Sequence, residues 1–324
     1  MNATAAFSTL NYTVLFIYLG LMIFIGWLFA GRQKTTEDYF LAGRNVPWLV
    51  VAMSMYASLT SAVTYMGLPG AAYRENISLI VVSVMSPIVA PFLIWIFYPF
   101  YRRLRVTTSY EYIDCRYGRR ARFAVSGLFV LARLGWLGTV IYAPALALSV
   151  VSGLSLGLSI ALMGLLATFY TVLGGLAADL WTDVVQFVIM IVGAIWVAWS
   201  LVKGVPGGIP GIVDIASASG HLKIVDWHMS LYEMSGLVVA VSFFFQLLQD
   251  YGTDQVTVQR LMATRSFRGM ASAVIFNAMT DFFIVGLLLF IGLGLLAFYQ
   301  THPGIIPETL SGDQVLPFYI IRNL

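Results

Sequence analysis

Four hydroxyl side chains, Ser58, Thr60, Ser61 and Thr64, sit in an otherwise apolar stretch that continues into Gly67, Pro69 and Gly70. The surrounding run of about 25 residues is long enough to cross a bilayer. A span that only anchors a protein in lipid has no use for this set. An interrupted helix at membrane depth frees carbonyls and amides to line an ion or ligand site. Carbonyls that end a first half-helix are hard oxygen ligands at a negative dipole end, suited to a small cation. Amides that open a second half-helix suit an anionic group. Close packing through small residues, with the serines bonded back to their own helix, is the competing account. The first account points to a transporter.

Three charged residues extend this chemistry. Arg133 lies 11 residues past Arg122, about 16 Å into the membrane at the helical rise. An arginine at that depth is paired, watered or functional, unless a tilted span lets it snorkel. Asp281 is similarly deep, and three roles stay open for it: pairing with Arg133, facing a cavity, or carrying a proton. Asp183, in Trp181-Thr182-Asp183-Val184-Val185-Gln186, suits a helix start, where a carboxylate offsets the dipole, and equally suits a cation ligand near the cytoplasmic mouth. The run from Gln246 to Gln255 turns polar after Val238–Phe245 and reads either as a second broken helix, with a half-helix through Arg260, or as a plain helix end entering water.

The elements that must hold these residues are membrane helices. The chain is 60% hydrophobic and 10% charged, against about 25% charged in a soluble domain, so an all-α polytopic membrane protein is expected. Hydropathy gives eight spans, near Tyr12–Ala30, Pro47–Gly70, Ile77–Phe100, Phe123–Val151, Leu154–Leu173, Thr182–Val202, Gly236–Tyr251 and Met270–Tyr299. From Pro47 to Ala57 is ten residues, about 15 Å, which sets the hydroxyl cluster near mid-bilayer. Thirteen Lys and Arg residues fall on one set of loops (Arg32, Lys34 and Arg44, the 102–122 loop, then Arg260, Arg265 and Arg268) and four on the other (Arg74, Lys203, Lys223 and Arg322). The positive-inside rule then places the N-terminus outside and the chain in the cell membrane. The arginine-rich loop reads as topology and lipid contact rather than nucleic-acid binding. Residues 203–233 read as an external loop. Cys115 alone excludes a disulfide framework, and His221, His228 and His302 have no metal-ligand spacing. The first apolar run is too long, and lacks the basic flank, for a cleavable signal peptide.

Several stretches stand out together: Asp38-Tyr39-Phe40-Leu41-Ala42-Gly43-Arg44, the 57–70 break, Thr108-Ser109-Tyr110-Glu111-Tyr112, Tyr170-Thr171-Val172-Leu173-Gly174-Gly175-Leu176, the Trp181–Gln186 run, and Asp254-Gln255-Val256-Thr257-Val258-Gln259-Arg260. In this order and spacing they resemble the sodium:solute symporter family; Val140-Ile141-Tyr142-Ala143-Pro144-Ala145-Leu146-Ala147-Leu148 resembles its vitamin, monocarboxylate and iodide branch, and the 57–70 pattern its bacterial sialic-acid carriers. The resemblance implies a LeuT-type inverted-repeat fold, with residues 1–45 a first span and cytoplasmic loop, 46–203 the first repeat and 234–324 the start of the second. It implies that the carbonyls of Ala57 and Thr60 bind the main sodium ion, that Asp183 serves a second sodium site, that Ser61 and Thr64 face the solute and that Tyr251 floors its site. Where sialic-acid carriers clamp a carboxylate with an arginine, this chain has Trp136, with Arg133 one turn earlier. The glutamine those carriers use in the third span reads Ser83. Arg133 then serves a smaller carboxylate, capped by Trp136. Members have about 13 spans, so a truncated or partial symporter is expected.

The implied activity is sodium-coupled import of a small organic solute, a carboxylate or other small anion, by alternating access. Sodium, the solute and membrane lipid are the expected partners, with no nucleic acid and no obligate protein. Two alternatives stay open: the membrane region of a sensor, and a proton-coupled carrier using Asp281. No nucleophile–base set or phosphate loop supports an enzyme.

Overall fold

The computed structural model describes residues 9–31, 33–104, 108–152, 154–224, 236–305, 310 and 312–324. Arg32, Arg105, His228 and the rest of 225–233 lie outside the described residues. Among the described residues the ordered elements are helices, in keeping with the all-α expectation. They are α1 (Thr9–Phe29), α2 (Thr36–Leu41), α3 (Trp48–Leu59), α4 (Ala62–Arg74), α5 (Ile80–Phe92), α6 (Tyr98–Leu104), α7 (Ser109–Tyr117), α8 (Arg119–Ser152), α9 (Leu156–Gly204), α10 (Gly208–Ala218), α11 (Gly236–Gly252), α12 (Gln255–Met262), α13 (Phe267–Thr301) and α14 (Gly312–Asn323). A π-helical turn, Leu93–Phe97, joins α5 to α6.

Among the described residues, five helices are long and apolar enough to cross a membrane, and the α3–α4 pair passes the same test as one broken span. The two other expected spans are present as shorter apolar helices, Leu156–Phe169 and Gly236–Gly252. The fifth and sixth expected spans are both present within α9 and meet at a kink at Gly175 (φ 57°, ψ −160°). The expected external loop is partly helical, because α10 follows two positive-φ glycines, Gly207 and Gly208, and buries Ile212 and Ala216 one turn apart.

The chain forms two compact units. Unit 1 gathers Met1–Ser58, Ile96–Val185 and Thr253–Ala273, and unit 2 gathers Leu59–Trp95, Gln186–Gly252 and Val274–Leu324.

Unit 1 explains why the distinctive stretches have their residues. Thr35 and Asp38 form a capping box at the start of α2, and their hydrogen bonds hold the exposed Asp38 carboxyl below its ordinary pKa, led by the one to the Thr35 hydroxyl. The loop then docks on the α9 interruption: Tyr39 Oη donates to the Val172 carbonyl at 3.1 Å and Gln33 Nε2 to that of Gly174. Gln259 of α12 reaches the Phe40 carbonyl at 2.7 Å, Ser109 N donates to Gln255 Oε1 at 2.8 Å, and Val46 N donates to the Ala263 carbonyl at 3.0 Å. The 38–44, 108–112, 170–176 and 254–260 stretches are therefore parts of one hydrogen-bonded assembly.

Gly175 sits at a tight point of this assembly. A Cβ there would lie 2.9 Å from the Tyr39 carbonyl oxygen, in a backbone region that side chains rarely adopt. Gly175→Ala is expected to cost about 1–3 kcal/mol, read as a lowered melting temperature of the purified protein. An unchanged melting temperature would contradict the tight docking.

Unit 2 corrects one expectation. Gly67, Pro69 and Gly70 do not form the break; they lie within α4, whose first residue is Ala62. Gly70 instead permits close packing, because a Cβ there would meet Gly312 backbone at 2.7 Å at the start of α14. Ala72, Val285 and Leu289 form a buried cluster with Leu68 and Ile80 beside it.

Candidate functional site

The α3 helix ends at Leu59, so its last-turn carbonyls, that of Ala57 among them, have no amide one turn further on within the helix. Thr60 follows outside any helix, and Ser61 caps α4: its Oγ accepts from the Thr64 amide at 3.3 Å and lies 3.3 Å from Thr64 Oγ1. An extended Ser61 (φ −92°, ψ 165°) accounts for the interruption without proline. All four residues are half-buried.

The densest polar site is in unit 1 and centres on Asp183. This residue is 6% exposed. Its Oδ2 accepts from Ser54 Oγ at 2.6 Å, Ser58 Oγ at 3.0 Å and Arg260 Nη2 at 3.1 Å. The same Arg260 nitrogen reaches Asp179 Oδ2 at 2.5 Å, and its Nε donates to Ser54 Oγ at 2.9 Å. Each element contributes through helical spacing: Ser54 and Ser58 are one turn apart on α3, Asp179 and Asp183 one turn apart on α9, and α12 supplies Arg260. The helix-start reading of Asp183 falls, since α9 is continuous there and its interruption lies at Gly175. Thr182 is likewise mid-helix, its Oγ1 bonded back to the Asp179 carbonyl at 2.9 Å.

This site has a charge imbalance. Two carboxylates face one guanidinium, which leaves one negative charge over in a largely desolvated place. Among the described residues, no donor reaches Asp183 Oδ1. Carboxylate and hydroxyl oxygens of this kind suit a hard monovalent cation.

Arg260 was counted with the loop cations, yet it is buried on a helix. The residue run that read as either a broken helix or a helix end is helix, break, helix: α11 stops at Gly252, and Asp254 caps α12 by accepting from Val256 N at 2.9 Å. Asp254 also holds Arg133 in an ion pair, and Arg133 lies over the Phe129 ring, 5.3 Å from its centroid. The partner of Arg133 is thus Asp254 and not Asp281. Trp136, one turn along α8, is exposed.

In unit 2, Tyr251 is buried and donates to Asn277 Oδ1 at 2.7 Å. Ser83 is fully buried, and its Oγ donates to the Ile80 carbonyl of its own helix region at 2.8 Å. Sequence reasoning passed over Ser54, Asp179, Arg260 and Asp254 as functional residues. The repeated four-residue spacings Ser54/Ser58 and Asp179/Asp183 are the signal that would have found the first two.

Residues 39–321 match the sodium:solute symporter family. The chain is 32% identical over 320 residues to the sodium/sialic acid symporter NanT of Aliivibrio fischeri, covering 98% of this chain and 63% of that protein. It is 33% identical to the mouse (Mus musculus) sodium-coupled monocarboxylate transporter 2, over 94% of this chain and 51% of the relative, and 32% identical to the human (Homo sapiens) sodium/iodide cotransporter, over 95% and 48%. A solved structure of a Na+-coupled sialic acid symporter, substrate-bound and outward-open with a novel Na+ site, superposes with a TM-score of 0.93 at 30% identity, covering 98% of this chain and 66% of that one. The chain spans between about half and just under two thirds of the length of these relatives. All of them are transporters and not enzymes.

Proposed function

The chain belongs to the sodium:solute symporter family, and from that premise we propose that the protein carries a small organic anion across the cell membrane together with sodium, by alternating access on a LeuT-type fold. The observation that carries this reading is the unbalanced negative charge at Asp179, Asp183 and Arg260, with Ser54 and Ser58 beside it. A monovalent cation on Asp183 neutralises that excess, so cation binding changes the electrostatic state of three helices at once. The end of α3 adds the Ala57 and Thr60 carbonyls as ligands for a main sodium ion. Ser61 and Thr64, with hydroxyls paired at the start of α4, are the proposed solute contacts, and Tyr251 and Trp136 the aromatic ones. Ser83, turned to its own helix, is left out of the set. The basic excess on one set of loops orients the N-terminus outward, and 46–203 and 234–324 are the proposed repeat segments.

Arg133 is the proposed anion contact, with Asp254 as its resident counter-ion. A solute carboxylate that takes the guanidinium must displace Asp254, so Asp254 tunes solute affinity by competition. The test is uptake into liposomes by the full-length protein of N-acetylneuraminate, lactate and iodide, the solute types of the relatives. An inward sodium gradient should concentrate at least one of them, and choline in place of sodium should abolish the accumulation; equal accumulation with choline would contradict symport. Asp254→Asn keeps a good helix cap but frees Arg133. It is expected to lower the half-saturating concentration of the transported anion about three- to tenfold. A raised value would remove Arg133 from the solute site.

A further inference from the structure

Unit 2 holds a second polar group, of which the symport reading uses only the Tyr251 ring. A small cavity of about 10 Å³ is lined by Ser86 and Val89 of α5, Leu247 and Tyr251 of α11, and Val274 and Ala278 of α13. Its two polar liners both lead to α13. Tyr251 donates to Asn277, which is fully buried, and Ser86 is hydrogen-bonded to the Asp281 carboxyl. Val274, Asn277, Ala278 and Asp281 occupy positions i, i+3, i+4 and i+7, so they share one face of the helix. Among the described residues no basic side chain pairs with Asp281.

An ionised carboxylate inside a membrane helix, supported by one hydroxyl and apolar walls, is costly until a countercharge arrives. The cavity has room for about one water-sized group. It therefore suits one compact group rather than an entire solute. Hydroxyl and carboxylate oxygens favour a cation over an anion there, and the apolar remainder excludes a large hydrated one.

We propose that Asp281, with Ser86 and the Asn277–Tyr251 pair beside it, forms a subsite for a compact monovalent cationic group. Two sources share that chemistry: an alkali ion, and an ammonium group carried by the solute. The inference stands on unit 2 alone and holds whether or not Asp183 binds sodium.

The experiment is a melting-temperature series on the purified full-length protein. N-methyl-D-glucamine chloride is replaced at constant ionic strength by sodium, potassium or methylammonium chloride, for the wild type, Asp281→Asn and Asp183→Asn. At least one compact cation should raise the wild-type melting temperature by about 2–4 °C at several times its half-saturating concentration. The part of that rise owed to Asp281 should persist in Asp183→Asn and vanish in Asp281→Asn. A methylammonium response assigns the group to the solute, and a sodium or potassium response to a free ion. The subsite is overturned if no cation response is sensitive to Asp281→Asn. Responses that disappear in Asp183→Asn alone would leave the symport reading standing and remove this subsite; separate losses in the two variants support both sites, and a response sensitive to Asp281→Asn alone supports this subsite and takes sodium away from Asp183. Should Asp281→Asn fail to fold, Ser86→Ala serves in its place: a several-fold weaker cation response supports the subsite, and an unchanged one overturns it.

Discussion

Arg260→Ala should destabilise the protein by about 3 kcal/mol, at the lower end of the roughly 3–5 kcal/mol seen when one partner of a buried ion pair is removed. The guanidinium is the shared partner of Asp179 and Asp183 and also bonds Ser54. Without it two carboxylates face each other's charge with only hydroxyl donors at hand. Asp179 is a quarter exposed and water screens part of its share, which places the effect at the lower end. Arg260→Lys should fall between, because an ammonium keeps the charge but cannot present the planar fork. Adding Asp183→Asn to Arg260→Ala should recover part of the loss, since the two positions are directly coupled. Melting temperatures of the four proteins measure this. A double variant no better than the single would mean that the guanidinium acts by packing and not by charge.

Asp183→Asn should behave in the opposite way, folding well and failing in transport. The amide oxygen still accepts from Ser54 and Ser58, and with one carboxylate gone Arg260 and Asp179 balance. Stability should change by no more than about 1 kcal/mol. The negative charge offered to a cation is gone, so the half-saturating sodium concentration for uptake should rise at least about tenfold, each tenfold step being about 1.4 kcal/mol. Uptake with unchanged sodium dependence would place the coupling ion elsewhere.

These two variants separate what the cluster does for folding from what it does for function. They also show where sequence reading stopped. A span interrupted near its hydroxyls was legible at 57–64, because four polar residues in an apolar run have few other uses. The position of the interruption was not, because Gly67, Pro69 and Gly70 looked like the helix breakers while the extended Ser61 does the breaking. Gly70 answers to a packing partner, α14, that lies some 240 residues further along the chain and so leaves no local trace. Asp183 was legible as a candidate cation ligand through the resemblance. Its neighbours Arg260 and Ser54 were not, since they come from other helices and the pairing exists only once α3, α9 and α12 are packed. Arg133 showed the same limit. Its depth demanded a partner, yet nothing in the spacing chose Asp254 over Asp281.

The most direct test of the account is equilibrium binding of radioactive sodium to the purified full-length protein and to its Asp183→Asn variant. Saturable binding to the wild type, weakened at least about tenfold in the variant, is the expected result. Binding of equal affinity and stoichiometry in both would contradict the assignment of the Asp183 cluster as a sodium site.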